Sequence, residues 1–151
     1  MNQPDLEYAG FWIRTGAAIV DAILLCIVTL PMLIPTYGWD YLTGDHFIAG
    51  PADFLISYVL PASAVIAFWV TKQATPGKMA VSTVIVDAET GRAPTLGQAI
   101  LRYVGYFVAM ILLMLGILWV AFDKRKQGWH DKLAGTVVVR QTRPEPVRFS
   151  R

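Results

Sequence analysis

This chain is poor in charge, cysteine and histidine, and each shortage removes a class of function. Only 16% of its 151 residues are Asp, Glu, Lys or Arg, where a soluble domain carries about a quarter. A single cysteine, Cys26, excludes an intramolecular disulfide framework and is read as ordinary packing. That cysteine and two distant histidines, His46 and His130, do not make a zinc spacing, so no metal and no cofactor are expected. The net charge is only +2 and no basic stretch is interleaved with aromatics, which argues against nucleic acid. No serine or cysteine nucleophile stands in a recognisable motif, so an enzyme is not expected. The basic region of a signal peptide is missing as well. Asp5 and Glu7 precede the first apolar run, which is read as an uncleaved helix.

Apolar residues are what the chain has. They make up 55% of it, with mean hydropathy +0.48, and the lipid bilayer is the partner this composition implies. A run of roughly 20 apolar residues can span a bilayer as a helix. The first such helix is predicted over residues 11–33, where Pro31 and Pro35 kink or end it. A second is predicted over 54–70. The third apolar region, 96–122, is about 40 Å long as one helix, more than a span needs. Gly105 and Ala109 give it a small-residue face that another helix can approach closely.

Between the second and third regions the pattern changes. Residues 79–92 read as a strand and tight turn, and 136–140 as a second short strand. Thr75-Pro76-Gly77-Lys78 reads as a turn closing the second helix, and Thr95 as the N-cap of the third. Residues 141–151 read as a disordered tail. The predicted fold is therefore an all-α membrane protein. It has two spanning helices, a third membrane-embedded segment that spans or re-enters, and a small cytoplasmic β element.

Charge distribution orients it. The 36–53 link holds Asp40, Asp45 and Asp53 without Lys or Arg, and is placed outside. Lys72, Lys78, Arg92 and Arg102 draw the next link inside. Three complete spans then strand Lys124-Arg125-Lys126 outside. A re-entrant third segment removes this conflict and lets the two strands pair.

Charges inside the apolar runs are the functional candidates. An aspartate at mid-span is disfavoured by about 2.5–3.5 kcal/mol and should face a partner or a wet cavity. Asp21 is such a residue. Arg14 lies two helical turns, about 10.5 Å, before it and leans toward the N-terminus, so a direct pair is not expected. Arg14 otherwise reads as a snorkelling anchor. Arg102 is the best partner for Asp21 by sequence, or else an interfacial cation. Asp131 and its neighbour His130 are expected to point to different faces.

Five pieces together resemble the RDD family of small multi-pass membrane proteins. They are Phe11-Trp12-Ile13-Arg14 with Asp21; Ala74-Thr75-Pro76-Gly77-Lys78; Val84-Ile85-Val86-Asp87; Ala99-Ile100-Leu101-Arg102; and Gln127 to Val138. The resemblance covers residues 8–140. It implies that the family arginine is Arg14, the first aspartate Asp21, and the second Asp131 or Asp123. It also implies the bacterial cytoplasmic (inner) membrane, with the N-terminus cytoplasmic. Two functions follow as expectations. One is a small ion or solute transporter, coupled to a proton or monovalent cation and working as a homo-oligomer. In it Asp21 is the protonatable site, Arg14 and Arg102 are its charge partners, and Asp131 is a gate. Asp123, His130 and Lys78 stand behind these as secondary candidates. The other is a non-transporting membrane adaptor or assembly factor, in which the same charges lock helices together.

Overall fold

A computed structural model describes residues 7–111 and 115–140. Two helices dominate it. The first, α1 (Phe11–Tyr37), continues past Pro31 and Pro35. The expected end at residue 33 is therefore corrected by about a turn, since apolar helices tolerate proline where no water competes for the freed carbonyls. The second, Pro51–Lys72, begins as α2 (Pro51–Asp53), passes through a π-helical stretch (Phe54–Val59) and continues as α3 (Leu60–Lys72). Proline near its start suits a position whose N–H needs no helical partner. Both are long and apolar enough to cross a membrane. Only 17% and 6% of their most apolar windows are buried within the protein. Cys26 is exposed on α1, a correction to its reading as a packing residue.

Thr75-Pro76-Gly77-Lys78 does more than turn the chain: it opens a short helix, α4 (Pro76–Ala80). Strand β2 (Thr83–Asp87) follows, shorter at its start than predicted because Met79 and Ala80 are helical. Its end is a turn held by the Asp87 carboxylate, which accepts the Thr90 N–H at 2.7 Å, with Gly91 at φ +68°. Those donors and Gln98 hold Asp87 well below the usual carboxylate range. Thr95 caps α5 (Leu96–Ile111) as predicted. Its hydroxyl accepts the Gln98 N–H at 3.3 Å, and the Gln98 side-chain oxygen accepts the Thr95 N–H at 2.9 Å.

The third apolar region folds back on itself. Helix α5 and the segment Leu115–Ala121, made of α6 (Leu115–Leu118) and a 3₁₀ turn, form a pair bent by 113°. Next come α7 (Trp129–Ala134) and β3 (Thr136–Arg140). Strand β3 lies antiparallel between β2 and a two-residue strand, β1 (Glu7–Tyr8), with Ile85 opposite Val138 and Tyr8 opposite Val139. The expected strand pairing is present, and β1 adds to it.

One sheet thus gathers the chain before α1, after α3 and after α7, so the chain leaves that sheet for the third apolar region and returns to it after α7. Its inner face packs Ile85 and Val138 with Ala9, Trp69 and Ala99 into the core. The predicted tail, 141–151, lies outside the described residues.

Candidate functional site

The small-residue face of α5 sets up the site. Gly105 lies so close to α7 that an added Cβ would stand 2.8 Å from the His130 Cα. Gly116 and Ala109 meet in the same way, at 2.8 Å for a Cβ on Gly116. This face is therefore spent within the chain. It brings α7 beneath α5, with Asp131 fully buried at the junction.

Asp131 is the hub. One carboxylate oxygen accepts the Arg14 Nη1–H at 2.5 Å and the Gly128 N–H at 2.9 Å, closing the first turn of α7. The other oxygen pairs with Arg102. Arg14 also donates Nε–H to the Ala9 carbonyl at 3.0 Å and Nη2–H to the Lys126 carbonyl at 2.6 Å. Arg102, 1% exposed, also donates to Thr136 Oγ1 at 2.7 Å and lies against the Trp69 and Tyr106 rings. Burial alone raises the Asp131 carboxyl, but the Arg102 and Arg14 guanidiniums outweigh it and hold the group well below the usual range. Asp131 is charged at any physiological pH.

These contacts correct several expectations. Arg14 is no snorkelling anchor and Arg102 no interfacial cation: both turn inward to Asp131. Neither pairs with Asp21. The Asp131 carboxylate, expected as a gate, is clamped between two guanidiniums. His130 also turns to the same side as Asp131, with Nε2 3.5 Å from its carboxylate and the ring stacked on Tyr106 at 3.9 Å. Neighbours on α7 converge here because Asp131 reaches back along the helix to its cap. Asp123 stands apart at the rim, 2.6 Å from Lys132, whose ammonium holds it below the usual range.

Burial pushes the His130 imidazole down to about 3; the Asp131 carboxylate opposes this, while the nearby Arg102, Arg14 and Lys78 charges add to it. Between about pH 3 and pH 6.5 the unfolded chain binds a proton here that the folded chain refuses, so stability falls as pH drops through that window. Thermal unfolding in nanodiscs should lose about 2 kcal/mol between pH 7 and pH 5. His130→Phe, which keeps a ring against Tyr106, should remove most of that slope. An unchanged slope would assign it to other groups.

Asp21 occupies a different environment, on α1 against α4. Its carboxylate accepts Thr75 Oγ1–H at 2.5 Å and the Gly77 N–H at 2.7 Å, so α1 caps α4 across the fold. Gly77 is required there. A Cβ would fall on the Ala17 carbonyl oxygen and stand 2.8 Å from Asp21 Cγ. Among the described residues Asp21 forms no ion pair. It lies instead on the floor of a cleft of about 350 Å³ between α1 and α3, walled by Leu25, Val28, Ala64 and Phe68. Lys78, one turn into α4, is buried, which lowers its ammonium from the ordinary range.

A model of the RDD family matches residues 8–135. The chain belongs to the RDD family. The uncharacterized protein RP437 of Rickettsia prowazekii is 39% identical over 87 residues, which are 58% of this chain and 48% of that protein. The match thus spans about half the length of that relative. The uncharacterized protein YxaI of Bacillus subtilis is 28% identical over 154 residues, covering 87% of this chain and 96% of its own. No solved structure matches. In this RDD family membrane protein Arg14 meets Asp131, Asp123 pairs with Lys132, and Asp21 is held by Thr75 and Gly77 without an ion pair among the described residues.

Sequence reasoning missed Thr75, Gly77 and Thr136 as partners of these charges. Thr75-Pro76-Gly77 carried a signal, a capping residue followed by proline at the first helical position. It also missed Asp53, which is buried at the opposite end of the second helix. Asp53 accepts Ser57 Oγ–H at 2.6 Å, Tyr41 OH at 2.7 Å and the Ala49 N–H at 2.8 Å. With its donors supplied locally, Asp53 pins the 36–53 link.

Proposed function

We propose that this protein is a small proton-coupled ion or solute transporter, working as a homo-oligomer, with Asp21 as the group that gains and loses the proton. One observation carries the reading: of the two RDD aspartates, only Asp21 faces a cleft and lacks a cationic partner among the described residues. A carboxylate in that position binds whichever cation reaches it, a proton included. Asp131 is committed to two arginines and is a lock. Two long helices cannot enclose a path alone, which is the argument for an oligomer. The sheet and its basic flanks, Lys72, Lys78 and Lys124-Arg125-Lys126, are placed in the cytoplasm with the N-terminus, and 36–53 outside. The third region then re-enters, which puts the positive cluster on the cytoplasmic side.

The test is Asp21→Asn in proteoliposomes loaded with a pH-sensitive dye and challenged with monovalent cations. Asparagine still offers its carbonyl to the Gly77 N–H, and the Thr75 hydroxyl can turn to accept from its amide. The variant should insert and keep its oligomeric size, while proton-coupled flux falls at least tenfold. Unaltered flux would defeat the mechanism. Loss of assembly instead would favour a membrane adaptor whose charges serve only to join helices.

A further inference from the structure

The cleft above Asp21 has a composition of its own. Its walls are apolar, from Leu24, Leu25 and Val28 of α1 and from Leu60, Ala64 and Phe68 of the second helix and the residues around it. Its polar groups, Asp21 and Thr75, lie together at one end. At about 350 Å³ it lies within the range of pockets that take small organic ligands, and is far larger than a bare alkali ion needs. A hydrated inorganic ion would give up its water to hydrocarbon walls that return nothing. A ligand with an apolar body and one positive head meets both parts of the cleft. Its body covers the walls, and its head meets the single negative group. Thr75 Oγ and the Gly77 N–H already hold the carboxylate in place, so it need not be reorganised when the head arrives.

We infer that this cleft binds lipophilic organic cations, such as alkylammonium ions with a compact apolar tail, whose head pairs with the Asp21 carboxylate. The inference rests on the exchange of cations at Asp21 proposed above and adds the class of substrate. The tail contributes affinity through burial, and the neutral analogue of equal length loses the contribution of the head.

The experiment measures hexyltrimethylammonium binding to the full chain in nanodiscs, with hexanol as the uncharged probe. The wild type should bind the ammonium saturably. Asp21→Asn should bind it at least tenfold more weakly, and Ala64→Phe, which fills the cleft and leaves the carboxylate intact, should weaken it as strongly. Equal uptake by all three proteins would mean partition into lipid and overturn the assignment. Cross-linking between copies through Leu24→Cys, in a Cys26→Ser background, with no ammonium binding, would give the cleft to a second copy and also overturn it. Binding that appears only after native lipid is stripped, and that Asp21→Asn does not weaken, would give it to an acyl chain with the same result. Alkali-cation flux that persists with proton coupling, but without ammonium binding, would reject the substrate class and leave the transporter reading standing.

Discussion

Asp131→Ala should be the most damaging single side-chain removal in this protein, lowering stability by about 3–5 kcal/mol. The reason is the charge it leaves behind. Arg102 is 1% exposed and Arg14 12%, and both hold their geometry around one carboxylate. Without it, two guanidiniums stay in a low-dielectric site, and the first turn of α7 loses the oxygen that closes it. Size-exclusion profiles and thermal unfolding in nanodiscs measure the loss. Asp123→Ala is the internal contrast. Its Lys132 partner is 43% exposed, and such pairs contribute about 1 kcal/mol or less. Replacing the whole unit by apolar residues, Arg14→Met with Arg102→Met and Asp131→Leu, should recover much of the stability, because no buried charge is then orphaned. A stable Asp131→Ala variant, or a triple variant worse than the single, would overturn the account of Asp131 as a lock.

That lock shows where reading the sequence stops. The long helices were legible because apolar runs of spanning length are a local signal. So were Thr95 as a cap and the 87–91 turn, whose chemistry lies within a few residues. Pro31 and Pro35 misled, since proline's effect depends on whether water competes for the freed carbonyls, and the sequence does not say. Strand β1 is two residues long, too short for any alternation to register. The pairing of charges was out of reach for another reason. Arg14 and Asp131 are 117 positions apart, and they meet only because the third apolar region folds back. Ranking partners by depth along a helix joined Arg102 to Asp21. The close approach at Gly105 carries α7 to Arg102 instead, and leaves Asp21 to α4. The resemblance pointed to Arg14, Asp21 and Asp131 or Asp123, but could not say which of them touch.

Gly105→Val should be nearly as damaging as the loss of Asp131, although it removes no charge and no hydrogen bond. The added Cβ would lie 2.8 Å from the His130 Cα and 3.0 Å from its Cβ, so it meets backbone that cannot rotate away. Helix α7 must then move off α5. Three contacts depend on their present separation: the Arg102–Asp131 pair, the His130–Tyr106 stack at 3.9 Å, and the bond from Arg102 to Thr136 at 2.7 Å. Overpacking by itself typically removes 1–3 kcal/mol, and loosening a buried ion pair adds to it, so about 3 kcal/mol or more is expected. Gly97→Ala on the same helix separates this from a general intolerance of side chains. Its Cβ would find only Thr95 Oγ1, at 3.9 Å, and alanine lowers the entropy that a helical glycine gives up. That variant should match the wild type or exceed it by up to about 1 kcal/mol in thermal unfolding. If Gly105→Val unfolds with the same midpoint as Gly97→Ala, α7 does not rest on α5 at Gly105, and the junction that presents Asp131 to both arginines fails with it.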